Sequence, residues 1–175
     1  LSQHDDPDLL NEILNQGIDP NRVILSKNPI INQYSPIMLS TILGYQKNID
    51  VLIKHGADIN YKTDNGMTAI AEVLLSDIDY SKALFAVSSN IEVIQEFIDQ
   101  ESIISDQKKE NIHDVEERKK KNKFAFVEYL LSKGADLDVK INGKHLIKLL
   151  EGEEKEYVKA KLYPKKSFLF KLINR

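Results

Sequence analysis

The stretch Ser35–Thr63, SPIMLSTILGYQKNIDVLIKHGADINYKT, constrains the fold more than any other part of the chain. Ser35 can cap a helix N-terminus with its hydroxyl. Pro36 suits the first helical position, where its missing N–H would be unpaired anyway. Ile37, Leu39, Ile42 and Leu43 make a short helix that is apolar on most of its surface, and Gly44 can end it. Ile49, Leu52 and Ile53 recur at i, i+3, i+4 and predict a second, amphipathic helix. Gly56 is placed just past that helix, where positive φ is needed. Asn65-Gly66 is a tight-turn signal, so the chain between Asp58 and Thr68 is expected to form a hairpin-like finger. A helix pair plus a finger cannot bury its own apolar face and needs copies of itself on both sides.

Such copies are visible. Asp8 to Gln16 (DLLNEILNQ) carries Leu9, Leu10, Ile13 and Leu14 at helical spacing and ends in Gly17-Ile18-Asp19-Pro20-Asn21, which matches Gly56-Ala57-Asp58-Ile59-Asn60 in kind. The separation of these glycines is 39 positions, so the extra residues fall in the loop Arg22–Tyr34, where Val23-Ile24-Leu25 is expected to be extended. Thr68 and the following Ile70, Val73 and Leu74 predict another short inner helix. The next clear match is Phe124–Asp138, FAFVEYLLSKGADLD. There Val127, Leu130 and Leu131 take the places of Ile49, Leu52 and Ile53, and Gly134-Ala135-Asp136 repeats Gly56-Ala57-Asp58. Gly56 and Gly134 are 78 positions apart, about 45 more than one period of about 33.

That surplus, roughly residues 76–123, can be read in two registers. In one, a helical excursion is inserted within a single repeat and the helix ending at Lys133 is extended at its N-terminus. In the other, NIEVIQEFI (90–98) is an outer helix and a degenerate repeat follows, with 108–123 as its inner helix. The second register would bury a strongly charged segment that offers only Ile112 and Val115 to a core, so the first is preferred. Asn142-Gly143-Lys144-His145 opens a last unit, with His145 where a capping hydroxyl is wanted. LIKLL (146–150) predicts a short helix and EEKEYVKAKL (153–162) a largely polar one, as a terminal repeat requires. Pro164 stops it, ahead of the tail KKSFLFKLINR.

The Ser/Thr start, the apolar outer helix, the Gly-Ala-Asp ending and the Asn-Gly finger together resemble an ankyrin repeat, over a little over half of the chain. The pattern departs from that family at Met38 and Ala71, which stand where a His is usual, and in the long excursion. The resemblance implies an all-α, ankyrin-like helical solenoid of about 3–4 repeats with hairpin fingers and an inserted helical excursion. As a single domain over 1–175 it divides into a degenerate repeat (8–34), a consensus-like repeat (35–67), an elaborated repeat (68–141, insertion about 76–123), a C-terminal cap (142–163) and a tail (164–175). The resemblance also implies non-catalytic binding of another protein through finger tips and the concave face of the inner helices. Carried onto this sequence, the finger positions are Lys62, Asp64, Asn65, Met67, Lys140, Asn142 and Lys144. The inner-helix positions are Tyr34, Ile42, Leu43, Leu75 and Ser76.

No chemistry competes with that expectation. His4, His55, His113 and His145 are scattered, cysteine is lacking, and no metal-ligand spacing, phosphate loop or nucleophile elbow occurs, so neither a cofactor nor a metal is expected. The net charge of −3 gives no ground for nucleic-acid binding. No apolar run approaches the roughly 20 residues that span a bilayer. Two basic features stand out: residues 107–123, with seven Lys/Arg and four acidic residues, and the tail, with Lys165, Lys166, Lys171 and Arg175 among aromatics. They motivate an alternative reading as an anion or membrane-surface binder. A further alternative is the targeting or adaptor domain of a larger enzyme or secreted effector. A monomer in the cytoplasm is the default expectation.

Overall fold

The computed structural model describes residues 6–25, 32–77 and 112–164. The expected helix over 90–98, most of the insertion and the tail after Pro164 lie outside the described residues.

The described residues are mostly helical. Seven helices run in the order α1 (Pro7–Asn15), α2 (Pro36–Ile42), α3 (Gln46–Lys54), α4 (Ala69–Leu75), α5 (Ile112–Ser132), α6 (Leu146–Leu149) and α7 (Gly152–Leu162). A two-stranded antiparallel ribbon, β1 (Lys140–Ile141) and β2 (Lys144–His145), precedes α6, with Ile141 opposite Lys144. The helix starts follow from local chemistry. The Asp6 carboxylate accepts the Leu9 N–H at 3.0 Å ahead of Pro7. The Ser35 hydroxyl faces the Met38 N–H at 3.5 Å and the Thr68 hydroxyl the Ala71 N–H at 3.4 Å. His145 supplies no such cap to α6; its Nδ1 lies 3.1 Å from the Asp138 carboxylate instead.

Packing links the helices in sequence. α1 lies on α3, α2 lies between α3 and α4, α4 packs on α5, and α6 packs on α7. Ile37, Ile49, Leu52, Ile70, Val73, Phe126, Val127 and Leu130 are all essentially sealed from solvent in one shared core. Each such side chain stabilises the fold by roughly 1.5–3 kcal/mol relative to exposure. Residues 112–123 and 124–132 belong to one continuous helix of 21 residues. Its residues 116–121 are exposed, and burial begins at Lys123, whose ammonium pairs with Glu154 at 3.1 Å.

Two ladders tie the units together. At the helix ends, the Asn21 amide donates to the Gly56 carbonyl at 3.1 Å while its oxygen accepts the Asp58 N–H at 2.8 Å. Asn60 does the same to Gly134 and Asp136, at 2.9 and 2.8 Å. In the third unit the equivalent residue is Asp138, which cannot donate and faces His145. Along the helices, His55 meets Asn11 at 2.8 Å, Lys133 meets Asp50 at 2.6 Å, and Lys161 meets Glu128 at 2.5 Å. Asn11, Asp50 and Glu128 each stand six residues before a turn glycine. Tyr129 strengthens its rung by donating to both the Gln46 carbonyl and Asp50, at 2.9 Å each.

Candidate functional site

Three loops lie in a row. In the first, Val23-Ile24-Leu25 is extended enough for Ile24 to exchange backbone hydrogen bonds with the far side of the loop: its N–H donates to Tyr34 at 2.9 Å and its carbonyl accepts from Gln33 at 2.7 Å. In the second, the Thr63 N–H donates to the Met67 carbonyl at 3.1 Å and the Gly66 N–H to the Thr63 carbonyl at 2.8 Å. The third is the β1–β2 ribbon. Gln33 binds Asp64 through both its side-chain atoms, accepting the Asp64 N–H at 2.9 Å and donating to the Asp64 carboxylate. The Asn142 N–H donates to the Asn65 carbonyl at 2.7 Å. The fingers are therefore bonded to one another.

This bonding sorts the sequence-derived finger positions. Asp64 is committed to Gln33. The Asn65 side chain turns inward to Thr63 and to the Met67 N–H, the latter at 3.1 Å. Met67 is half-buried between the two apolar clusters. Asn142 contributes its backbone and holds φ at +49°. Lys62, Lys140 and Lys144 are exposed, and among the described residues none of the three ammonium groups has a partner.

The inner-helix positions divide as well. Tyr34 is only 7% exposed, and its hydroxyl donates to Glu72. Burial first, and the adjacent carboxylate second, push the Tyr34 phenol well above its ordinary pKa. Ile42 is half-buried against Tyr34, Met38 and Ala69. The Ser76 hydroxyl donates back to the Val73 carbonyl at 3.3 Å. Leu43, which ends α2, and Leu75, the last residue of α4, are the open members, 56% and 38% exposed. Gln33 escaped the sequence reading. Its signal was positional: it stands two residues before the cap Ser35 as Gly66 stands before Thr68, and both adopt positive φ.

The basic segment is described only from residue 112. A groove of about 580 Å³ there is lined by Glu116, Glu117, Lys120, Lys121, Phe124 and Glu153. Its lining mixes three carboxylates with two ammonium groups, and Lys120 is paired to Glu153 at 3.2 Å. Such a surface does not concentrate positive potential. Among the described residues no group of His, Asp or Glu is arranged to hold a metal, and no helix is long and apolar enough to cross a membrane.

No protein family, curated protein or solved structure matches the chain.

Proposed function

We propose that the chain is an ankyrin-like solenoid that recognises another protein without catalysis, through the finger row and the ends of the inner helices. The observation that carries this reading is the bonding of the fingers into one row by Gln33–Asp64 and Asn65–Asn142, with Lys62, Lys140 and Lys144 exposed and without partners among the described residues. Groups held in such a row lose little freedom on binding, so more of the contact energy survives as affinity. Leu43 and Leu75 add exposed apolar surface on helices that pack side by side. The complementary partner surface is acidic with apolar anchors.

The test is affinity capture from the native cell with the wild-type chain, with Leu43→Asp/Leu75→Asp, and with Lys62, Lys140 and Lys144 all changed to Glu. A protein held by the wild type, lost by both variants and retained by an outer-face control (Glu156→Ala) supports the reading. A protein retained equally by all three refutes it. Capture of anionic vesicles in place of a protein, abolished by the lysine changes, would support the membrane-surface alternative.

A further inference from the structure

Asn-Gly occurs twice in the sequence, as Asn65-Gly66 in the second finger and as Asn142-Gly143 at the tip of the β1–β2 ribbon. In this dipeptide an asparagine side chain condenses readily with its own backbone. The next residue's nitrogen lies within reach of the side-chain amide carbon, and glycine sets no Cβ in the way. Whether that happens in a folded chain depends on whether the two reacting groups, the side-chain amide and the following N–H, are held elsewhere. The structure treats the two pairs differently.

At Asn65 both groups are engaged. The side-chain oxygen accepts from the Thr63 hydroxyl and, at 3.1 Å, from the Met67 N–H. The Gly66 N–H donates to the Thr63 carbonyl at 2.8 Å. Gly66 is half-buried, and the Lys140 carbonyl oxygen lies 2.0 Å from the position a Cβ would take, so the peptide has little room to turn. At Asn142 the reacting groups are open. Asn142 and Gly143 are both exposed. The Asn142 backbone N–H donates to the Asn65 carbonyl at 2.7 Å, but that atom takes no part in the condensation. The Asn142 side chain and the Gly143 N–H have no hydrogen-bond partner among the described residues. Nothing lies within 4 Å of the Cβ position at Gly143.

We propose that Asn142 is a site of spontaneous deamidation in the folded protein, and that Asn65 is protected by its hydrogen bonds. Hydroxide removes the Gly143 amide proton, and the nitrogen forms a bond to Cγ of Asn142. The Cγ–Nδ2 bond breaks, and ammonia leaves with a proton taken from water. Water then adds to either carbonyl of the resulting succinimide. One opening gives aspartate, and the other gives β-aspartate, whose backbone runs through the former side chain. No atom changes oxidation state, and water is the only co-reactant. Either product sets a carboxylate between Lys140 and Lys144, whose side chains are exposed. The charge of the third finger changes whatever the finger row binds, so the site does not depend on that reading.

The full chain is incubated at mildly alkaline pH, sampled over time and digested with pepsin at acidic pH, which halts the reaction. Mass spectrometry with fragment ions then locates each exchange of amide for carboxyl. In the folded protein Asn142 is expected to convert about tenfold or more faster than Asn65, because opening the hydrogen bonds at Asn65 adds to its barrier. In guanidinium chloride that advantage is expected to vanish. The β-branched Ile141 before Asn142 gives it no intrinsic lead over Asn65, which follows Asp64. Asn142→Gln, which would have to close a larger ring, is expected to abolish conversion at that position. Three outcomes each overturn the proposal: Asn65 converting as fast as Asn142 in the folded protein, an advantage of Asn142 that persists on unfolding, or an Asn142 that stays intact while the unfolded chain converts.

Discussion

Asn60 holds Gly134 from across 74 positions of sequence, its amide 2.9 Å from the glycine carbonyl, while the same side chain accepts the Asp136 N–H at 2.8 Å. One planar amide therefore satisfies both a donor and an acceptor left open where α5 ends. Helix termini leave such groups without intrahelical partners, and a side chain that meets two at once fixes how one unit sits on the next.

Replacing that amide tests its weight. Asn60→Ala is expected to lower stability by about 1–3 kcal/mol, from two hydrogen bonds of ordinary net value. Asn60→Asp is expected to be destabilising as well, because a carboxylate can accept from Asp136 but cannot donate to Gly134 and sets a negative charge beside its carbonyl. Urea unfolding monitored by circular dichroism measures both. An Asn60→Ala protein within about 0.3 kcal/mol of wild type would show that the clasp follows the packing and does not support it.

Gly66 offers a second, sharper test. Its φ is +86°, and a Cβ built there would lie 2.0 Å from the Lys140 carbonyl oxygen. Backbone blocks that space, so the second finger or the β1–β2 ribbon must move. Gly134 also has positive φ, at +93°, but nothing lies within 4 Å of its Cβ position. Gly134→Ala is expected to cost about 1–2 kcal/mol, the conformational penalty alone. Gly66→Ala is expected to cost clearly more and to shift the amide resonances of Lys140–Lys144. Equal losses in the two variants, read from thermal melts, would contradict the close approach.

Much of the fold was written locally and could be read locally. Ser35-Pro36, Thr68 and Gly56 mark helix ends through interactions within a few residues, and the apolar spacing of Ile49, Leu52 and Ile53 records which side is covered. His145 was legible as a poor cap for the same reason, and its ring is turned to Asp138. What the sequence withheld is pairing across distance. Asp64 and Asn65 read as exposed turn residues, yet one is bound by Gln33 from the neighbouring loop and the other lends its carbonyl to Asn142. Tyr34 read as a contact residue of the open face, and it is buried over Glu72. No periodicity encodes which polar side chain meets which, because that depends on how neighbouring units align in space.

Tyr129 and Lys133 converge on the same carboxylate, and their contributions are expected to differ. Tyr129 donates to Gln46 and Asp50 at 2.9 Å each. Lys133 meets Asp50 at 2.6 Å, but the side chains are 33% and 50% exposed, and exposed pairs are screened by solvent. Tyr129→Phe is expected to cost about 1 kcal/mol or more, and Lys133→Ala about 0.5 kcal/mol or less. Only the smaller loss should depend on salt, vanishing near 1 M NaCl. Denaturant titrations at low and high salt separate the two, and a salt-sensitive Tyr129→Phe effect would reverse the assignment.

Alkaline pH provides a test of the Tyr34–Glu72 contact. The folded phenol is held above its ordinary value, by burial first and by the Glu72 carboxylate second, whereas an unfolded tyrosine ionises near pH 10. Below about pH 10 both states keep the proton, and the contribution is present in full. Above it the unfolded state loses its proton first, so stability falls as pH rises towards the folded value. Tyr157 is shifted in the same direction, by burial and then by Glu128, so the comparison belongs in a Tyr157→Phe background. There, Tyr34→Phe is expected to lose about 1 kcal/mol at neutral pH, from the missing hydrogen bond to Glu72. Between about pH 9 and pH 11 it is expected to lose less stability than the protein that retains Tyr34. The two stability–pH curves should converge over that interval when unfolding midpoints are followed in urea. Curves that stay parallel would mean that Tyr34 titrates alike in both states and that Glu72 does not hold its proton.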